Sequence, residues 1–270
     1  MNDSAVATSD TMDALADCPA AECEAEDAVS DDIRLVSLEM SEVLSGLSHA
    51  LGNSLWTVDS YTQMAVEEAG DRIDGRVTSH LSAVLRASQR MVGVLNGMKL
   101  LASVCGKELH PRAVDLSALA TTIAEEYRRA GERRQVQFQI APGLTADGDP
   151  ELLEMVMRHL FENAWKFTAR QIEATIAFGR TPARGAADAT QTFFVRDNGA
   201  GFDEAFAEGL FSPFRRLHPR GEFEGQGLGL AIVRRIIHQH GGRVRAKGSV
   251  GAGACFFFSL PTDGWRQRHE

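Results

Sequence analysis

The sequence predicts an α+β chain: a long helical hairpin that pairs with a second hairpin into a four-helix bundle, followed by an α/β sandwich built on one sheet. Two observations carry this. Between residues 33 and 105, apolar residues fall at alternating four- and three-residue spacing, the period of helices packed along a seam. Between 115 and 262, helical and strand patterns interleave.

The first 32 residues belong to neither part. They hold ten acids (Asp3, Asp10, Asp13, Asp17, Glu22, Glu24, Glu26, Asp27, Asp31 and Asp32) and no Lys or Arg. The net charge is −9, so residues 33–270 carry +1. Rich in Ala, Ser and Asp and poor in aromatics, 1–32 reads as a disordered acidic tail. Residues 263–270 read as a short C-terminal tail. The composition, 44% apolar and 24% charged, is that of a globular chain. No run approaches the roughly 18 apolar residues of a membrane helix. The N-terminus lacks a basic stretch followed by an apolar core, so a cytoplasmic protein without membrane insertion is expected. No basic stripe offers itself to nucleic acid. Cys18, Cys23, Cys105 and Cys255 form no C-x-x-C pair and have no His at zinc-finger spacing, so free thiols are expected rather than a metal site.

The first helical run places Met40, Leu44, Leu47, Leu51, Ser54, Val58, Tyr61 and Ala65 on one seam. Residues 68–71 and Gly75 break it. The second run places Val77, Leu81, Val84, Ser88, Met91, Leu95, Met98 and Ala102 likewise, which makes 33–105 an antiparallel hairpin. Leu55, Leu85 and Val94 are apolar but off the seam, and covering them calls for a homodimer.

Residues 106–114 read as a linker. A helix is expected over Leu116–Arg129 and a strand over Val136–Ile140. Asp149-Pro150-Glu151 supplies an N-cap and a proline at the first helical position, opening a helix to about Phe167. Strands follow at Ile172–Phe178 and Thr192–Val195, with Gly179–Thr190 as a loop. A helix over Leu228–His240 is closed by Gly241 and Gly242. Val244–Lys247 and Cys255–Leu260 complete the sheet.

Three motifs stand out within 115–262. Gly225-Gln226-Gly227-Leu228-Gly229 enters a helix, either as a flexible loop or as a phosphate site formed by backbone amides and the helix dipole. It is not the dinucleotide fingerprint, since position 230 is Leu and no strand precedes it. Asp197-Asn198-Gly199-Ala200-Gly201 follows a strand. It is a hairpin turn, or a carboxylate placed to accept from an exocyclic amine beside glycines that lie flat on a purine. Asn163 and Lys166, three apart on a helix, form a solvated face, or else pair an amide oxygen for Mg²⁺ with an ammonium for phosphate.

Taken in order, Asn163-Ala164-Trp165-Lys166-Phe167-Thr168, Asp197-Asn198-Gly199-Ala200-Gly201-Phe202, Phe211-Ser212-Pro213-Phe214 and Gly225-Gln226-Gly227-Leu228-Gly229-Leu230 resemble the N, G1, F and G2 boxes of sensor histidine kinases. Their ATP-binding domain is of the Bergerat type shared with gyrase, Hsp90 and MutL. Arg216-Leu217-His218 and His240-Gly241-Gly242 are most similar to the phytochrome-like branch. The resemblance covers 33–262 and makes 115–262 the ATP-binding domain. It implies that Asp197 reads the adenine amine with Gly199 and Gly201 beside it, and that Asn163 coordinates Mg²⁺. Lys166 would meet the phosphates, and the amides of Gly227, Leu228 and Gly229 would hold the triphosphate. Residues 215–224 would form a lid hinged near Phe214 and Gly225. Four residues before Asn163 the kinases usually carry asparagine and related ATPases glutamate; this chain has His159.

The same resemblance gives the hairpin its phosphoacceptor, His49. It lies two residues past Leu47, off the seam, where it would face solvent and a docking ATP domain. The family usually carries an acid directly after this histidine, and this chain has Ala50. Glu42 is seven residues upstream, about 10 Å along a helix axis, too far to replace it. Gly52 stands for a usual basic residue and Ser54 for a usual proline. Asn53, one turn after His49, matches the position linked to orienting water for dephosphorylation of the partner. The expectation is a homodimeric histidine kinase that uses ATP and Mg²⁺ to phosphorylate His49 and passes the group to a response-regulator aspartate. The alternatives are a phosphatase-biased or relay protein of the same fold, or an ATP-binding pseudokinase scaffold. No sensor domain is present in the sequence, so input is expected from a separate sensor protein, from the tail, or from a parent chain.

Overall fold

The computed structural model describes residues 46, 51–68, 74–105, 107–131, 134–182, 190–217, 223 and 225–262. The expected tails, the first half of the first helix and His49 lie outside these residues.

Helix α1 spans 51–68 and α2 spans Gly75–Cys105. Asp74 caps α2, its carboxylate accepting from the Arg76 amide at 3.2 Å. Gly75, expected as a breaker, is instead the first residue of α2, a position whose N–H has no intrahelical partner in any case. Ser88 Oγ donates to the Leu55 carbonyl at 3.1 Å, joining two points equally far from the connection, as an antiparallel hairpin requires.

On α1 the expected seam is displaced by one residue, while on α2 Leu81, Ser88, Leu95, Met98 and Ala102 of the expected seam are partly or fully buried. On α1 the partly buried stripe runs through Gly52, Leu55, Asp59, Thr62 and Val66; on α2 it includes Leu81, Leu85, Ser88, Val92 and Leu95. Leu51, Val58, Tyr61, Val77, Val84 and Met91 of the expected seam stay exposed. The apolar residues occupy two adjacent stripes, and a two-helix contact covers only one of them.

Two short strands, β1 (Arg112–Asp115) and β3 (Thr145–Gly148), pair antiparallel in a sheet of their own. Residues 112–114, expected in the linker, thus belong to the α/β part. These strands are only four residues long, too short for alternation to show. The main sheet has the order β2-β4-β5-β7-β6, with β2 at Val136–Ile140, β4 at Ala174–Arg180, β5 at Thr190–Asp197, β6 at Val244–Ser249 and β7 at Gly253–Pro261. β2 and β4 are parallel and the other neighbours antiparallel. β4 to β7 extend beyond the expected strands because ladder pairing continues through polar ends such as Arg180–Phe193 and Thr190–Pro261. Ile172, expected to open a strand, is instead 96% exposed.

Helices α3 (Leu116–Ala130), α4 (Pro150–Phe167) and α5 (Gly229–Gln239) cover one sheet face. Asp115 caps α3 and Asp149 caps α4, its carboxylate accepting from Glu151 and Leu152. Phe161, Phe178, Phe193 and Phe258 stack through the core fully buried, each contributing about 1.5–3 kcal/mol. His240, also fully buried, accepts the Asp149 amide on Nε2 at 3.0 Å, and burial lowers its pKa so that the ring stays neutral. The last turn of α2 joins this core through Val104, whose carbonyl accepts from Gln239 Nε2 at 2.6 Å.

Candidate functional site

Helix α4 buries Leu152, Leu153, Val156, Met157, Leu160, Phe161 and Ala164 against the sheet. Its remaining flank turns His159, Glu162, Asn163 and Lys166 into a cavity of about 320 Å³. Lys166 Nζ donates to Asn163 Oδ1 at 3.3 Å and sits 4.4 Å from the Phe167 ring centre. Burial pulls the Lys166 pKa down, with Glu162 acting against it. An ammonium stripped of water and only partly compensated gains from an anion brought beside it. His159 Nδ1 lies 3.7 Å from Glu162 Oε2, and this neighbour holds the Glu162 carboxyl below its usual range.

The opposite wall is the glycine loop and the start of α5. Gly227 has φ +76°, and a Cβ there would stand 2.7 Å from the Arg215 carbonyl, so only glycine fits. No side chain caps α5 at Leu228, which leaves first-turn amides of Gly229 and Leu230 at the cavity wall without a capping partner. The flexible-loop alternative gives way to a fixed helix entrance suited to an anion. Phe214 is the one non-glycine residue with positive φ among the described residues, at 62°, and its N–H donates to the Gly227 carbonyl at 2.9 Å. Arg216 donates to the carbonyls of Gly225 and Phe223, while Phe223 meets Phe167 edge-on at 4.9 Å.

β5 finishes on Asp197, 4% exposed. One carboxylate oxygen, Oδ1, accepts from the Gly199 amide at 2.8 Å; Oδ2 is buried with no partner. Burial pushes this carboxyl up to about 6, against the amides of Gly199 and Ala254. The hairpin-turn alternative for 197–201 fails: Asp197 pairs with Ile176 and Ala254, and Asn198 ties the chain to Thr175 N at 2.9 Å and Glu173 O at 2.7 Å. Gly201, at φ +62°, leaves no room for a Cβ, which would run into the Ser249 carbonyl. Phe202, Leu210, Ile232 and Phe256 give the cavity apolar walls. Apolar walls, an ammonium and uncapped helix amides lining one cavity, with a buried unpaired acceptor on the strand neighbour of its wall residue Ala254, fit a nucleotide.

Asn163, Lys166, Gly201, Gly225, Gly227, Leu228 and Gly229 thus line one cavity; Asp197 and Gly199 do not line it, but Asp197 pairs with Ala254, which does. Phe214 does not line it; half exposed, it is tied to the loop through its backbone. Asn53 is exposed on α1 and does not reach the cavity. Sequence reasoning missed Gly93, Asn96, Gly97 and Leu100 of α2, which form a further wall. A Cβ on Gly93 would run into Gln226 and one on Gly97 into Leu228. Glycine inside a helix costs about 1 kcal/mol relative to alanine, so Gly93-x-x-x-Gly97 was the available signal of a close approach.

Residues 148–264 match the family model described as "Histidine kinase-, DNA gyrase B-, and HSP90-like ATPase". Residues 148–264 thus carry an ATPase domain of the kind shared by histidine kinases, DNA gyrase B and HSP90. The chain is similar to cyanobacterial phytochrome A of Nostoc sp., 28% identical over 90% of this chain and 31% of that protein. The sensor histidine kinase ZraS of Klebsiella oxytoca is 27% identical over 91% of this chain and 50% of that one. The adaptive-response sensory kinase SasA of Synechococcus sp. is 30% identical over 81% and 58%. The chain spans about a third or less of the first curated relatives it matches. Among solved structures, full-length ShkA in complex with AMPPNP shares the fold, with a TM-score of 0.59 and 24% identity over 82% of this chain and 46% of that one. No helix among the described residues is long and apolar enough to cross a membrane.

Gly201→Ala is expected to lower the ATPase domain's stability by about 2–4 kcal/mol, since positive φ and a backbone collision act together. A denaturant midpoint reads it directly.

Proposed function

We propose that the chain is an ATP-dependent histidine autokinase that phosphorylates His49 and passes the phosphoryl group to a response-regulator aspartate. The observation that carries this reading is the cavity lined by Lys166, Asn163 and the uncapped start of α5, with the buried, unpaired Asp197 Oδ2 on the residue paired with its wall residue Ala254. In this reading Asp197 accepts from the adenine amine, and Gly199 and Gly201 leave room for the base. The α5 amides and Lys166 hold the triphosphate. Asn163 Oδ1 is a neutral oxygen of the kind Mg²⁺ takes alongside phosphate oxygens. Among the described residues no cluster of three His, Cys, Asp or Glu offers an alternative cation site. Bound there, Mg²⁺ would offset phosphate charge, and catalysis would otherwise come from positioning.

Transfer forms a bond from a His49 ring nitrogen to the γ-phosphorus, breaks that phosphorus's bond to ADP, and releases the ring proton. The exposed stripe of Leu51, Val58, Tyr61, Val77, Val84 and Met91 supports a homodimer, because a second hairpin would cover it. A phosphatase-biased or relay reading has one specific observation in its favour: Ala50 cannot do what an acid beside His49 does.

The test uses γ-labelled ATP with Mg²⁺ on the 270-residue chain and on His49→Ala. Acid-labile, alkali-stable label on the wild type alone is the expected result. ATP binding without label would move the function to phosphatase or scaffold. In the phosphatase case, Asn53→Ala should then slow dephosphorylation of the regulator.

A further inference from the structure

The sheet face turned away from α3, α4 and α5 has a chemistry of its own. Cross-strand pairing sets Arg196, Cys255 and Lys247 in one row and Phe194, Phe257 and Arg245 in the next. Arg196, Arg245 and Lys247 are exposed. The Arg245 guanidinium lies 3.8 Å over the Phe257 ring, and Arg196 lies 5.9 Å from the Phe194 ring. The two rings are 6.3 Å apart, partly buried, and outside the main core. Among the described residues, no Asp or Glu stands at an outward position of β4, β5, β6 or β7. Guanidiniums stacked on rings still present their N–H edges to carboxylates.

We propose that this face is the docking surface for the chain's own acidic segment, residues 1–32. Three cations collect on one face of a part whose net charge is only +1, while the segment carries ten acids and no base. The segment is tethered, so it reaches the face at an effective concentration in the millimolar range. Its 32 residues span up to about 100 Å when extended. Leu55 faces Ser88, so from there the described part of α1 runs back toward the end of α2 that packs into the domain core. Docked, the segment ties the far face of the ATP-binding domain to the start of the hairpin. The proposal is independent of the kinase reading, because the face lies across the sheet from the cavity.

Zero-length carbodiimide coupling of carboxylates to amines on the full chain tests it, with mass spectrometry of the linked peptides. Lys247 is the one amine on the face, and Lys99, exposed on α2, is the internal control. Acids of 22–32 are expected to couple to Lys247 several-fold more than to Lys99. The Lys247 product should fall about five-fold or more at 1 M salt, where the screening length shrinks from about 10 Å to about 3 Å. Arg196→Glu/Arg245→Glu should abolish it, and the milder Arg196→Gln/Arg245→Gln should reduce it at unchanged melting temperature. Equal coupling to Lys99 and Lys247, or an undiminished product in both variants, overturns the proposal. So does coupling found only between copies in an isotope-mixed sample.

Discussion

Asp197→Asn is expected to weaken ATP binding by about 10- to 100-fold while making the nucleotide-free protein more stable at pH 8. The binding loss follows from the orphaned Oδ2. An ionised acceptor facing the adenine amine is worth about 1.5–3 kcal/mol as a charge-assisted bond. Asparagine can turn only one oxygen, and the Gly199 amide already claims Oδ1 at 2.8 Å. Its NH₂ would then face the amine donor to donor. Calorimetric titration with ATP measures the loss.

The stability gain follows from linkage. Burial raises the Asp197 pKa from 3.8 to about 6, so between those values the folded state binds more protons than the unfolded one. Stability from this group is therefore fully present below about 4, declines as pH rises through about 6, and is lost above it. The shift corresponds to about 2–3 kcal/mol at pH 8. A neutral asparagine escapes that penalty, so the difference in melting temperature between variant and wild type should be largest near pH 8 and vanish near pH 4. The same titration predicts that ATP binding to the wild type weakens as pH falls below about 6.

The residues that announced the site did so because their chemistry is local. Asp149-Pro150 caps a helix within three residues, and Gly227 serves a turn that no Cβ tolerates. These constraints survive in a one-dimensional reading. The α2 wall did not, since Gly93 and Gly97 are explained only by Gln226 and Leu228, far along the chain. Neither did the short β1–β3 sheet, whose strands are held by a partner rather than by pattern. The one-residue displacement of the α1 seam has the same origin. Periodicity shows that two apolar stripes run down each helix, but which faces its own partner is decided by packing, here through Ser88 and Leu55.

Ala50→Glu is expected to raise the initial rate of His49 phosphorylation by about 10²-fold or more, toward the 10²–10⁴ that a positioned general base contributes. A carboxylate beside the imidazole takes the N–H of one ring nitrogen and leaves the lone pair of the other directed at phosphorus. With alanine there, the ring must reach that tautomer unaided and lose its proton to water. Alanine and glutamate differ by only a few tenths of a kcal/mol in helix propensity, so a melting temperature measured alongside the rate should be unchanged. The residues proposed to bind ATP stand on α4, β5 and the α5 entrance, so the gain should appear in kcat with KM for ATP unchanged. The double variant His49→Ala/Ala50→Glu should take no label, which excludes a new acceptor. If label on the wild type is present but the rate does not respond to the new acid, proton removal is not limiting. The barrier would then lie in bringing the domain to the hairpin, where Gln226 and Leu228 sit against Gly93 and Gly97.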